Sequence, residues 1–387
     1  MTQFADRTGL TSGRGVRRYL WTDAFAVCNF LGLARATGDG GYRDLALRLV
    51  DQVHHELGRH RADDHRTGWI SELPSDEGEA HPTRGGLRIG KPLPERAATE
   101  TLDPDLEWDR DGQYFHYLTK WVHALDQVAR STGRSTFHVW ARELMHTAHR
   151  AFMCGPPGGK RMMWKLSIDL SRPLVASMGQ HDPLDGVVTC AELEATAFEL
   201  QLVAGQSLTV AKADFAEMLD WTGLVTTDPL GLGGLLVDTC RLVQVEPANH
   251  DRIASLLGVC MMGLRQYVTD SSLRAPAYRR LGFRELGLAI GLAGVSMLQK
   301  EVWMDRLDAG GRAGIEALAR YVPLRTEIES FWMLPEHRRT STWIGHADIN
   351  DVMLAASLVP DGFLALVSPE PASTAPAPFH PIALSHR

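Results

Sequence analysis

The sequence predicts an all-α fold, an (α/α)6 toroid of consecutive αα-hairpins. Three observations lead there. Apolar residues recur at helical spacing in eleven successive segments. Short turns rich in Gly, Asp or Pro join them, such as TGDGGY, STGRS and WTGLVTTDPLG. The segments also tend to alternate between helices apolar on nearly every side and helices with a broad charged face. Short connections make neighbours antiparallel. A helix apolar all round is buried and one with a polar face is peripheral. Odd-numbered helices are therefore expected to form an inner ring and even-numbered ones an outer ring.

In the first helix Leu20, Ala24, Val27, Cys28, Leu31 and Ala34 keep the spacing until Gly38 stops it. The second, near 42–61, carries Leu45, Leu49, Val53 and Leu57 on an otherwise charged surface. The third is marked by Tyr114, Tyr117, Leu118, Trp121, Leu125 and Val128 and closed by Gly133; the fourth lies near 136–152. The remaining seven fall near 184–204, 209–222, 229–245, 250–269, 284–303, 312–331 and 347–359. The seventh and ninth are apolar nearly all round, whereas the tenth carries Arg312, Glu316 and Arg320. The third, with Lys120 and Asp126, and the rather apolar eighth fit the alternation least well. Little helical sequence follows the eleventh. Only Trp164–Ile168 and Phe363–Val367 read as minor strands. Residues 62–108, rich in Pro, Gly and charge, form a long loop of the kind that is usually functional or disordered. The expected plan is a flexible N-terminus over 1–14, a barrel over 15–360 and a Pro-rich tail over 361–387.

Composition narrows the function. A chain of 387 residues suffices for one large domain or two ordinary ones. A net charge of -7 gives no basic footprint for nucleic acid. Cys28, Cys154, Cys190, Cys240 and Cys260 are scattered and contain no CxxC pair; a reducing cytoplasm is expected rather than a disulfide framework. The polar start MTQFADRTGLTSGRG lacks an apolar signal core. The strongly apolar run from Leu286 to Leu298 falls short of the roughly 20 residues of a membrane span.

No metal or cofactor is expected. In HHELGRH, His55 and His60 are five positions apart, about 500° of helix rotation, so their rings diverge. DRDG at Asp109 resembles the start of a calcium loop, but Lys120 occupies the final ligand position. HTAH (His146 to His149) has no third ligand in view. GLGG lacks the phosphate-loop pattern, and no GxSxG elbow occurs.

The starts of the odd helices are distinctive. They read RRYLWTDAF, EWDRDGQYFHY, SMGQHDPLDG, DPLGLGG, GFRELG and STWIGHADINDV. Parallel inner helices would bring these starts to one end, where free N–H groups and helix dipoles favour anions and acceptors. Capping alone accounts for a single aspartate. It does not account for Trp21 beside Asp23, for Trp108, Tyr114 and His116 beside Asp109 and Asp111, or for Trp343 beside His346 and Asp348. Aromatic faces with carboxylates are what a sugar site needs.

With RRYLWTDAF, DRDGQYFHYLTKW and FRELGLAIGL as the closest local echoes, residues 15–360 resemble the six-hairpin (α/α)6-barrel carbohydrate-active enzymes. That superfamily includes many glycoside hydrolases and the N-acylglucosamine 2-epimerase group. The resemblance is architectural and implies a small-molecule carbohydrate substrate. Glycosidases of this kind pair a carboxylic acid with a carboxylate. Here the candidates are Asp109 or Asp111 on one side and Asp182 or Asp185 on the other. Trp21, Asp23, Trp108, Tyr114, His116, His181, Trp343, His346 and Asp348 are the expected substrate contacts. The epimerase members imply histidine acid/base chemistry instead, from His116, His181 and His346. The 62–108 loop would then be a lid, with Arg84, Arg88 and Lys91 on an anionic group. A non-catalytic helical binding scaffold is the third alternative. Glu285 is expected to pair with an arginine.

Overall fold

A computed structural model describes residues 1–156, 159–202, 206–270 and 273–366. The odd-numbered helices are Leu20–Thr37, Phe115–Thr132, Asp182–Glu199, Pro229–Val245, Gly282–Leu298 and Ala347–Leu358. Each packs against the next, and the eleventh packs back on the first, so the inner ring closes. The second, fourth, sixth and eighth helices, Gly40–Leu57, Ser135–Phe152, Thr209–Glu217 and His250–Asp270, each lie outside the inner helix that precedes them. The chain is thus an (α/α)6 toroid, as its patterning predicts.

Local chemistry sets the ends of these helices. Gly38 and Gly133 stop the first and third in the left-handed conformation, at φ 72° and 68°. Asp39 and Asp228 cap the second and seventh by accepting from Gly41 N and Gly231 N. The seventh and ninth helices approach closely through glycine. A Cβ on Gly233 would sit 2.1 Å from the Gly287 carbonyl, and one on Gly291 2.7 Å from the Gly233 carbonyl.

The two helices that fitted the alternation poorly have physical reasons. The third is an inner helix whose charges turn inward. Asp126 is fully buried between Arg130 (3.1 Å), His138 (3.1 Å) and Thr196 (2.6 Å). The eighth is apolar because it is covered on two sides, by the seventh helix and by the segment Ala309–Ala319. The expected tenth helix is two helices, Ala309–Ala319 and Pro323–Met333, the second beginning at a proline that cannot continue the first.

Both chain ends differ from expectation. The N-terminal residues, expected to be flexible, include a helix, Thr2–Arg7, with Phe4 and Ala5 buried. Arg7 ties it to Asp348 (2.9 Å) and Asp351 (2.6 Å) on the eleventh helix. The start of the expected tail closes the floor of the barrel. Asp361–Leu364 is a helical turn rather than a strand. Its Phe363 stacks on Phe25 at 4.1 Å, Gln127 donates to the Gly362 and Ala365 carbonyls, and Gln244 donates to Leu364 O at 2.8 Å. Val367 and the rest of the Pro-rich tail lie outside the described residues. The other expected strand is present in part. Lys165–Leu166 pairs antiparallel with Gln113–Tyr114 and with Pro173–Val175.

The 62–108 loop contains two short helices, Ser75–Ala80 and Pro104–Glu107. Arg66 pins it by ion pairs to Asp64, Glu95 and Asp169. No helix among the described residues is long and apolar enough to cross a membrane.

Candidate active site

A cavity of about 1370 Å³ opens at the N-terminal end of the inner ring. All six inner helices contribute to it, with Trp21 and Asp23, His116 and Lys120, Asp182 and Asp185, Val237 and Asp238, Phe283 and Ile290, and Asp348 and Met353. Alternate segments point the same way, and acidic and aromatic residues from several of their starts share one hollow, though Asp109, Asp111 and Trp343 do not line it. Phe25 and Phe363 lie at its closed end, and Arg88, Gly90, Lys91 and Pro92 of the long loop border it.

One wall is aromatic. Trp164 lies 5.6 Å from both Trp108 and Tyr114, centroid to centroid, and Tyr114 lies 5.2 Å from Tyr117. The Tyr117 hydroxyl meets that of Tyr19 at 2.5 Å. Trp108 is 54% exposed and so offers an open ring face. Such faces cover the C–H surface of a sugar while hydroxyls at the rim supply hydrogen bonds.

The wall beyond His116, which stacks on Tyr114, is acidic. Asp182 is the first residue of the fifth helix and Asp185 lies one turn further on, so i, i+3 spacing puts both on one face. Their surroundings differ sharply. Asp185 accepts from Lys120 Nζ at 2.7 Å and Thr119 Oγ1 at 2.8 Å, with Arg241 Nη1 3.7 Å away. Burial works to raise its pKa, but Lys120 and Arg241 outweigh it and hold the carboxyl below the ordinary value. Asp182 has no such cation. Its Oδ2 is buried without a well-formed hydrogen bond, the more distant Lys120 and the Gly179 amide pull its pKa down only in part, and the one basic side chain within ion-pairing range among the described residues is His116, with Nδ1 3.9 Å from Oδ1. Burial, and then the negative charge of Asp185, push Asp182 up to about 7. His116 is itself pushed down to about 4 by burial, so it is neutral near pH 7 and neutralises no carboxylate.

Two further buried carboxyls line the cavity. Asp23 is pushed up to about 6, chiefly by burial and against the pull of Arg18, whose Nη1 lies 3.3 Å away; it also accepts from Tyr19 N at 2.9 Å. Asp238 on the seventh helix is raised to about 6 by burial and by Asp185, although Arg241 contacts it at 3.1 Å.

Of the expected acid/base candidates, the structure brings Asp182 and Asp185 to the cavity and keeps Asp109 and Asp111 away from its wall. Asp109 is exposed and outside the cavity lining. Asp111 is wholly buried in a clamp, accepting from Arg88 (2.6 Å), Arg61 (3.3 Å), Gly90 N and Gly112 N. The bonds from Arg88 and Gly90 fix the long loop to the start of the third helix, and Arg61, just ahead of the loop, adds a further tie. Among the expected substrate contacts, Trp21, Asp23, Trp108, Tyr114, His116, His181, His346 and Asp348 line the cavity. Trp343 does not. It is buried against Trp332 at 5.3 Å and fills the space over Gly282. His181 donates from Nε2 to Leu224 O at 3.0 Å, and Asp348 pairs with Arg7 and Arg17. Arg84 faces outward to Glu143, whereas Arg88 and Lys91 reach the cavity edge. Glu285 pairs with Arg280 at 2.6 Å, the structural role expected of it.

Sequence reasoning passed over Tyr19, Tyr117, Lys120, Trp164 and Asp238 as site residues. Lys120 and Asp238 lie inside helices rather than at their starts, and only the closed ring turns them inward. Lys120 carried a signal, as a lysine on a helix otherwise assigned to the interior. Among the described residues no group of three potential ligands could hold a metal ion.

Comparison with known proteins places the fold. No family model matches the chain, and no curated protein matches it significantly. Among solved structures it is similar to a GH76 alpha-mannanase of Bacteroides thetaiotaomicron, with a TM-score of 0.51, 8% identity and coverage of 89% of this chain and 86% of that one. A sugar epimerase from a ruminal bacterium aligns over 88% of this chain and 87% of that one, with a TM-score of 0.46 and 9% identity. The chain shares its six-hairpin (α/α)6 architecture with the mannanase.

Proposed function

We propose that this protein is a carbohydrate-active enzyme, specifically a glycoside hydrolase, with Asp182 as the general acid and Asp185 as its ionised partner. The observation that carries the proposal is the pair itself. Two adjoining buried carboxyls have environments that drive their protonation apart, Asp182 up to about 7 and Asp185 down. Divergence of that kind is how a fold assigns acid and base at neutral pH. Asp182 would give its proton to the glycosidic oxygen as the C–O bond breaks. Water adds to the anomeric carbon and its released proton passes to Asp185. The aromatic wall, Trp108, Trp164 and Tyr114, holds the rings. A cavity of about 1370 Å³ exceeds the roughly 300–1,000 Å³ of ordinary ligand clefts, which gives room for more than one sugar. The mannanase likeness supports the architecture of this reading; the residue roles rest on the placement of the pair in the cavity and on the electrostatics of its surroundings.

The test is a glycoside panel assayed with Asp182→Asn and Asp185→Asn. Each is expected to lose about 10²–10⁴-fold in kcat while keeping its circular dichroism. Full activity in both variants removes the mechanism.

One observation favours a second reading, an epimerase or isomerase. His116 stands at the cavity wall 3.9 Å from Asp182 and is unprotonated there, the state from which a base takes a proton from carbon beside a carbonyl, although the burial that keeps it neutral also makes it a weak base. Solvent deuterium found in recovered sugar without hydrolysis, and abolished by His116→Gln, would select it. Tight sugar binding with neither reaction would select a binding scaffold.

A further inference from the structure

The cationic side chains of the cavity wall are spoken for, with one exception among the described residues. Arg7 and Arg17 pair with Asp348, Arg18 with Asp23, Arg88 with Asp111, Lys120 with Asp185 and Arg284 with Asp228. Lys91 borders the same cavity and, among the described residues, has no carboxylate within ion-pairing distance. It is half-buried, and its ammonium lies over the Tyr19 ring, 5.4 Å from the centroid. Burial depresses its pKa against the more distant pull of Asp109 and Asp111. A desolvated ammonium with no anion of its own is an incomplete ion pair.

Its position relative to the acid is fixed by a continuous row of contacts. From Lys91 the row passes to Tyr19, then to Tyr117 through the 2.5 Å hydroxyl pair, then to His116 with ring centroids 4.7 Å apart, and from His116 Nδ1 to Asp182 Oδ1 at 3.9 Å. The row is the cavity wall itself. A ligand lying along it would place one end at Lys91 and present a bond further along to Asp182.

We infer that Lys91 is the socket for an anionic group on the substrate, so that the enzyme acts on an acidic sugar, one bearing a carboxylate or a phosphate. This rests on the reading of the cavity as a sugar site, but not on hydrolysis. The pairing state of the wall carries it. A substrate made only of neutral hydroxyls would leave the ammonium as it is, half-desolvated and unpaired, whereas an anion completes it. The π face of Tyr19 beneath it favours retention of the positive charge, and the tyrosine hydroxyls below it suit the ring hydroxyls of the same sugar.

The experiment is calorimetric binding of glucuronate, glucose 6-phosphate and glucose to the full chain, repeated with Lys91→Gln and Lys91→Arg. At least one acidic sugar is expected to bind ten-fold or more tightly than glucose. The Gln variant should erase that ratio, and the Arg variant should retain most of it. Preference for glucuronate identifies a carboxylate substrate, and preference for the phosphate a phosphorylated one. Equal binding of all three sugars, or a ratio that survives Lys91→Gln, overturns the proposal. Far-ultraviolet circular dichroism of each variant confirms folding. Because no turnover is required, Lys91-dependent binding with no glycosidase activity would leave this inference standing while removing the hydrolase reading. Hydrolysis of neutral glycosides with no Lys91-dependent preference would do the reverse.

Discussion

The starts of the third and fifth helices look alike in sequence and behave differently in the fold. EWDRDGQYFHY and SMGQHDPLDG both set carboxylates just ahead of or within the first turn of an inner helix. At the third helix the buried acids are bound on all sides. Asp111 is clamped by Arg88, Arg61 and backbone amides, and Glu107 is held by Lys165 at 2.8 Å and Arg96 at 3.1 Å. At the fifth, Asp182 is nearly as buried but has no such cation and an unsatisfied oxygen. Burial with cationic partners keeps a carboxyl ionised, and burial without them favours its protonated form. Acid residues at a helix start are therefore not evidence of chemistry until their partners are counted.

Mutations at these two helix starts should separate the roles. The largest expected effect is Asp182→Asn, which should lower kcat by about 10²–10⁴-fold with little loss of structure. Asp111→Asn should do the opposite. Breaking a buried ion pair costs about 3–5 kcal/mol, so urea unfolding should show that loss, while kcat of the folded fraction stays within a few-fold of the parent. If Asp111→Asn abolishes turnover without destabilising the chain, the contrast fails.

Stability against pH sharpens the same comparison. The Asp182 carboxyl is raised above its unfolded value, so the stability it contributes is fully present below about 4 and is lost as pH rises to about 7. Removing the ionisable group removes that loss. Asp182→Asn should thus gain in melting temperature relative to the parent as pH goes from 4 to 8. A difference that is flat across that window would mean the carboxyl is not raised. With Asp182 as the proposed acid, the same shift predicts that kcat falls as pH rises through about 7.

The smallest effects are expected at the surface. Trp108→Ala should raise KM several-fold, since an aromatic contact is worth about 0.5–1.5 kcal/mol, and leave kcat nearly unchanged. Asp109→Asn, at an exposed position outside the cavity wall, should match the parent in both constants.

Much of the architecture was legible because it rests on local signals. Apolar spacing, the glycine stops at Gly38 and Gly133, and the all-round apolarity of the seventh and ninth helices all act within a few residues. Pro323 broke the expected tenth helix, a signal present in the sequence and outweighed by the flanking periodicity. The site was legible only as a neighbourhood. Trp343 has the composition of a cavity residue, yet it packs on Trp332, because which side of a helix start faces inward depends on the closed ring. Asp109 and Asp182 could not be ranked for the same reason. The partners that decide such roles come from distant segments: Asp111 is clamped from 61 and 88, and Asp185 from 119, 120 and 241. The anionic preference inferred from Lys91 likewise depends on knowing that the other cations described on the wall are paired.

The most direct test is a carboxyl-carbon NMR titration of the Asp182 side chain, assigned by comparison with Asp182→Asn. A midpoint near 7 that coincides with the alkaline fall in kcat is the expected result. A midpoint near 4, the ordinary aspartate range, would contradict the assignment of Asp182 as the acid.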